Sequence, residues 1–304
     1  MSASRRGRKK RSLTGPIIVI LVLVTGVVGY YIFTQSNAGN GTSSGLIGTA
    51  ASPTILGQIS GVSDSTLGAV SGLGVKVASP SNVNQTLLTI NGKPEVLYIG
   101  AEYCPFCAVE RWSMIMALDR FGNFSGLEYM QSSSSDTYPN TYSFSFVNAT
   151  YTSKYISFVS VEQLDRAHNP LQTTTSAQNA LMTQYDSSQQ IPFVDVGNKY
   201  FLVGSQDQPT ALRVGQAATG APYNWTQIAS QLNTPGSIVA QNVDESANRL
   251  IAAICKIDGG QPTSLCSLSY AITVGFLTSP SASPQPQATD LVFRGAPAKS
   301  GLEL

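Results

Sequence analysis

The chain has 304 residues, enough to bury a sizeable hydrophobic core in one large domain or two small ones. Charged residues make up only 12 %, and the formal net charge of +1 conceals an asymmetry: six of the 18 Lys and Arg occupy the first eleven positions, while 17 acidic residues face 12 basic ones from residue 12 onward. A body of that sign lacks the clustered cations that phosphate contacts need, which argues against a nucleic-acid partner.

The basic cluster (Arg5, Arg6, Arg8, Lys9, Lys10, Arg11) is followed by an uncharged apolar run at 16–33. Its 18 residues would span about 27 Å as a helix, close to the hydrocarbon thickness of a bilayer. Positive charge on its N-terminal side places that end in the cytoplasm and everything after Phe33 outside. A signal peptide cut near Ser36 to Ala38 is the rival reading. A buried core helix conflicts with the six flanking cations. The expected division is a basic cytoplasmic segment at 1–15, a transmembrane helix at 16–33, a flexible linker at 34–53, an extracytoplasmic domain at 54–278 and a low-complexity tail at 279–304. Five N-x-S/T sequons, at Asn40, Asn84, Asn123, Asn148 and Asn224, and an even count of four cysteines suit an outside, oxidising location.

Within the domain, Ile55 to Val70 reads as a short helix with turns, and Gly72 to Gly92 as loop and edge strand. Glu95 to Ile99 (EVLYI), bounded by Pro94 and Gly100, has the apolar continuity of a buried strand. Cys104 to Phe121 follows as an amphipathic helix, with Ala108, Trp112, Ile115, Met116 and Leu118 inward and Gly122 as its stop. Leu127 to Met130, Thr141 to Val147 and Tyr155 to Val161 read as strands, with a polar loop at Ser132 to Asn140. Thr174 to Tyr185 reads as a helix, and Ile191 to Val196 with Lys199 to Val203 as a hairpin about Gly197-Asn198. Trp225 to Leu232 and Ile238 to Ile257 complete the set as helices, before a Pro/Ser/Ala/Gln-rich tail expected to be disordered. The order describes an α/β sandwich and resembles the thioredoxin fold, with an insertion between Gly122 and Gln190.

Cys104-Pro105-Phe106-Cys107 carries the chemistry. A thiol attacks a disulfide only as its thiolate. A helix N-terminus, with unpaired N–H groups and the positive end of the dipole, favours that form. Cys104 is therefore expected to be the exposed nucleophile and Cys107, one turn on, the resolving thiol. Pro105 is tolerated in a first helical turn, and Phe106 covers one side of the pair. The rival readings are a static disulfide and half of a zinc site. The latter would need Cys255 and Cys266, whose spacing is loose for a zinc knuckle. Pro192, 85 residues beyond Cys107, heads an apolar strand. In thioredoxin-like proteins a cis-proline there faces the CxxC, and the peptide before it, here at Ile191, pairs with the backbone of the bound substrate. Cys255 and Cys266 are read as a structural disulfide, with an electron relay to Cys104 and Cys107 as the alternative. Glu102 and Glu110 flank the pair; one is a candidate proton acceptor for Cys107, although surface solvation is the simpler reading of Glu110. His168, in a DRAHNP loop, is read as structural. No cofactor and no metal is expected.

These residues together resemble a family catalogued as domain of unknown function 929. The segments that carry the likeness are GKPEVLYIGAEYCPFC (92–107), Glu110-Arg111-Trp112, Arg120-Phe121-Gly122, SSSSDTYPNTYSF (132–144), YISFVSVE (155–162), IPFVDVGNKY (191–200) and the closing pair of cysteines. The resemblance covers roughly 55–271. It implies a thioredoxin-like domain, often behind an N-terminal membrane segment, and no known substrate.

The expected activity is thiol–disulfide exchange on thiol- or disulfide-containing exported proteins, with a membrane thiol oxidase or reductase as the electron partner. Phe106 lacks the ring nitrogens of the His that DsbA-type proteins carry before their second cysteine, so a less oxidising couple than DsbA is expected. The compartment favours the opposite poise. A non-enzymatic cell-surface binding module and a Cu- or Zn-handling dithiol are the other functions consistent with the sequence.

Overall fold

The computed structural model describes residues 43–83 and 85–272. The apolar run 16–33, the sequon residues Asn40 and Asn84, and the tail from Ser279 lie outside the described residues. Among the described residues, no helix is long and apolar enough to cross a membrane.

The expected first helix is two: α1 (Pro53–Ser60) and α2 (Asp64–Ser71), each started by a serine, Ser52 or Ser63, whose Oγ accepts a first-turn N–H. Short strands β1 (Ser81–Asn82) and β2 (Thr89–Ile90) lead into β3 (Lys93–Gly100), and the CxxC helix α3 follows (Pro105–Leu118). The insertion holds β4 (Gly122–Ser125), β5 (Glu128–Gln131), β6 (Tyr142–Ser145) and β7 (Thr150–Ser153), paired as β4–β7 and β5–β6. The chain then returns through β8 (Ser157–Glu162), α4 (Ser176–Tyr185), β9 (Phe193–Val196) and β10 (Tyr200–Val203). Helices α5 (Trp225–Leu232), α6 (Ile238–Ile257), α7 (Thr263–Cys266) and α8 (Ser269–Ile272) close the described part.

The result is a mixed α/β fold. In the main sheet β3 pairs in parallel with β8 and antiparallel with β9; β9 continues antiparallel to β10, and β10 to β1. The continuous apolar run of β3 has a direct cause. Successive strand residues point to opposite faces, and here both faces are covered. Val96 and Tyr98 enter the large core shared with α3 and α6. Leu97 and Ile99 pack on the other face with Phe193, Val161 and Met182 of α4. The β9–β10 turn is tight because Gly197 and Asn198 both take positive φ, 67° and 56°, the geometry of a type I′ hairpin.

Two expectations need correction. Helix α3 is not amphipathic in place: every residue of it except Phe106 is buried. The β5–β6 hairpin covers the flank that a minimal α/β sandwich would leave wet, through Trp112 Nε1–H donating to Tyr142 O (2.8 Å) and Ser143 Oγ–H donating to Ala108 O (2.7 Å). Gly122 does not end the helix, which stops at Leu118; it opens β4, where a Cβ would stand 2.3 Å from the Thr152 carbonyl oxygen of β7.

Cys255, in the last turns of α6, is joined by a disulfide to Cys266 of α7. The separation of 11 residues closes a short loop. Replacing both cysteines with alanine is expected to lower unfolding stability by about 2–3 kcal/mol, read as the urea midpoint, with the fold retained.

Candidate active site

The site begins where β3 ends. Gly100 and Ala101 carry the chain off the sheet, and Cys104 is the N-cap of α3, with extended backbone (φ −77°, ψ 122°) and Pro105 at the first helical position. The Cys107 N–H donates to Cys104 Sγ at 3.2 Å. One of the helix's unpaired first-turn donors is thus spent on the sulfur, at the positive end of the helix dipole.

Across from it, the peptide bond between Ile191 and Pro192 is cis, and the Ile191 carbonyl oxygen lies 4.0 Å from Cys104 Sγ. The contact follows from sheet register: Ile99 pairs with Phe193, so the segment before β9 leaves the sheet beside the turn that carries Cys104. Cys104, Cys107, Ile191 and Pro192 therefore come together. Phe106 is half-buried at their rim, its ring meeting that of Tyr138 edge-on at 5.7 Å.

Cys104 is more enclosed than expected, with only 5 % of its surface open, and Cys107 has none. Two loops account for this. Ser133 N–H donates to Tyr103 O (2.8 Å), pinning the 132–141 loop against the turn. Arg166 ties that loop down, with Nε–H donating to Ser132 O at 3.1 Å and Nη2–H to Asn140 Oδ1 at 2.5 Å. Next to Arg166, His168 stacks on Tyr103 at 4.1 Å. The lone histidine, silent in the sequence, thus lies one ring away from the cysteines. Burial pushes Tyr103 up to about 12, with the two cysteines adding to the shift.

The family described as Domain of unknown function (DUF929) matches residues 79–256. The chain belongs to that family. No curated protein and no solved structure matches it. The domain of unknown function 929 match begins just before β1 and ends within α6, so it contains the CxxC turn and the Ile191–Pro192 segment but not Cys266.

Beneath the cysteines lies a buried charge pair. Arg111 donates through Nε to Glu162 Oε1 (2.8 Å) and through Nη2 to Glu162 Oε2 (2.7 Å), and Nη2 also donates to Ala101 O (2.8 Å). Neither side chain has any exposed surface. Burial opposes the Arg111 charge, but Glu162, Tyr98 and Cys107 together more than offset it, so the guanidinium stays protonated. Glu102 is buried as well and accepts from Ser145 Oγ (2.6 Å); burial raises its carboxyl. Sequence reasoning missed Arg111 and Glu162. The available signal was a lone Arg, four residues past Cys107, in a helix otherwise poor in charge.

Glu110 is not a solvated surface residue; it is 1 % exposed. It faces the Gln206–Asp207 segment and accepts the Gln206 N–H at 2.8 Å, and burial raises it to about 8. Burial likewise raises Asp244 to about 9 and Asp207 to about 7. Among the described residues no group of three or more His, Cys, Asp or Glu is arranged to hold a metal ion. The Cys255–Cys266 disulfide is remote from Cys104. It leaves from the last turns of α6, whose final residue Ile257 meets the Gly197 turn, at the far end of β9 from Ile191.

Glu110, Asp207 and Asp244 all bind protons more tightly folded than unfolded, as do Asp119 and Asp195, each raised by burial to about 7. The native state therefore holds the extra protons, and unfolding stability should fall as pH climbs from about 4 to about 9. Asp244→Asn supplies the neutral form permanently. It should flatten that fall by up to about 1.4 kcal/mol per pH unit, one proton's worth, measured as urea midpoints between pH 5 and 8.5.

Proposed function

We propose that this protein is a thioredoxin-like thiol–disulfide oxidoreductase, tethered to the membrane through 16–33, with its described domain outside the cytoplasm and exported proteins as substrates. The observation that carries this reading is the sulfur of Cys104 at a helix start, receiving the Cys107 N–H and facing the Ile191 carbonyl. The fold agrees with it: strands in the order β8–β3–β9–β10, the first two parallel and the rest antiparallel, with a CxxC helix after β3, a helix before β9 and a helix after β10, is the arrangement of a thioredoxin core. The disulfide at Cys255–Cys266 and the basic-then-apolar N-terminus support the extracytoplasmic placement.

In the reducing direction, the Cys104 thiolate attacks one sulfur of a substrate disulfide. A Cys104–substrate disulfide forms and the other substrate sulfur departs as thiolate. Cys107 then loses its proton to that thiolate and attacks Cys104 Sγ, expelling the second substrate thiolate. Two electrons pass to the substrate and the Cys104–Cys107 disulfide remains. The oxidising direction is the reverse. Ile191, at the edge of the site, offers backbone to an extended substrate segment, a short strand addition, and Phe106 supplies an apolar contact beside it. The electron partner on this reading is a membrane thiol oxidase or reductase.

One observation favours a rival, a binding module with an inert pair: Cys104 is nearly closed. The two readings separate on a single assay. Reduced protein is mixed with oxidised glutathione and quenched in acid for mass spectrometry. Cys107→Ser is expected to accumulate a Cys104–glutathione adduct, and Cys104→Ser to lose exchange by at least about 100-fold. Exchange undiminished in Cys104→Ser, or a wild-type protein inert to glutathione, overturns the proposal.

A further inference from the structure

Cys107 is the sulfur that must become an anion in the second step, and it has no contact with water. The charged and titratable groups that face it come from each element packed around it: Cys104 at the helix start, Tyr103 in the turn before it, Arg111 on α3, Tyr98 on β3 and Glu162 on β8. Of these only Arg111 is cationic. Residues at i and i+4 are neighbours on one helix face, so Arg111 rises from the turn directly after Cys107. Its head is fixed by three hydrogen bonds, two to Glu162 and one to Ala101 O at the neck of the CxxC turn. It also stands 5.7 Å from the centroid of the Tyr98 ring. Its remaining nitrogen, Nη1, has no hydrogen-bond partner among the described residues, although it is buried. A buried cationic donor without an acceptor is costly, and an anion nearby offsets that cost whenever one forms.

We infer that Arg111 is a positioning residue for the resolving step: its fixed guanidinium supports the negative charge that forms on Cys107 Sγ, and Glu162 both orients Arg111 and attenuates that support. The inference rests on the exchange reaction proposed above. Burial and the neighbouring Cys104 raise the Cys107 thiol well above its ordinary range; Arg111 opposes this, and Glu162 reinforces it by a smaller amount. The proton leaves Cys107 for the thiolate released in the first step, the Cys107–Cys104 bond forms, and the substrate sulfur leaves. Arg111 neither gives nor takes a proton.

The two halves of the pair therefore act on Cys107 with opposite sign, although losing either breaks the two Arg111–Glu162 hydrogen bonds. The test follows the decay of the Cys104–glutathione mixed disulfide in a single turnover, by acid quench and mass spectrometry, from pH 6 to 9. A one-unit shift in the Cys107 thiol changes its thiolate fraction tenfold, and the accompanying loss or gain of nucleophilicity returns about half of that on a logarithmic scale. At pH 7, Glu162→Gln is expected to speed decay about threefold, with the pH midpoint moving down, and Arg111→Gln to slow it about threefold, with the midpoint moving up. A purely structural role would loosen the site in both variants and move both profiles the same way; that result overturns the inference. If Arg111→Gln does not fold, Arg111→Met/Glu162→Met leaves no buried charge unpaired and carries the test. It should resolve more slowly than wild type, and an equal or faster rate overturns the inference. A wild-type protein that forms no mixed disulfide fails the exchange reading itself, which keeps the two failures apart.

Discussion

The first four N–H groups of an α-helix have no acceptor within the helix, and in this chain the Cys107 N–H among them is directed onto the sulfur of Cys104. That hydrogen bond depends on where the helix starts. Cys104 must be the N-cap, which requires β3 to end at Gly100 and the chain to turn off the sheet over Ala101 to Tyr103. The turn is held from below by Arg111 through Ala101 O, from one side by Ser133 through Tyr103 O, and from the loop after β8 by Glu102 N–H donating to Leu164 O at 2.9 Å. The position of one sulfur is therefore set by contacts from the loop after β8, from the insertion and from the body of α3.

Such bracing explains why this helix carries charge where a fully buried helix would be expected to avoid it. A lone ion in the interior is very unfavourable, and even a paired one recovers its desolvation only with good geometry and further hydrogen bonds. Arg111 has both, with a bidentate carboxylate and a backbone carbonyl. Deleting one partner of such a pair typically costs about 3–5 kcal/mol, while replacing both with apolar groups is often neutral. Glu110 meets the same constraint differently. With one backbone N–H and, among the described residues, no cation bonded to it, it keeps its proton to higher pH instead.

Much of this was legible in the sequence, and for physical reasons. The Glu95–Ile99 run read as a buried strand because both faces of β3 are covered, so its apolar character does not alternate. Helices Trp225–Leu232 and Ile238–Ile257 begin and end as the sequence pattern predicts; in the fold Asn224 and Ser237 cap their starts. Gly197-Asn198 announced its turn through the positive φ that these two residues tolerate. The cysteines and Ile191–Pro192 were found because spacing and neighbouring strands are local signals. Their enclosure was not legible, because the loops at 132–141 and 165–170 close over the turn through bonds between residues tens of positions apart. For the same reason Glu110 reads as a solvent-facing residue on an amphipathic helix, when the surface opposite it is supplied by Gln206 and Asp207. Arg111 and Glu162 are 51 residues apart, and only the parallel pairing of β3 with β8 brings them together.

On the proposed exchange reaction, one of the two nearly buried sulfurs is chemically open and the other is held in reserve. Competitive alkylation of the reduced wild-type protein with iodoacetamide at pH 7, with each cysteine quantified by peptide mass spectrometry, addresses it directly. Cys104 labelled well ahead of Cys107 is the result this account predicts. Labelling of Cys107 first, or of neither until the protein is unfolded, would contradict it.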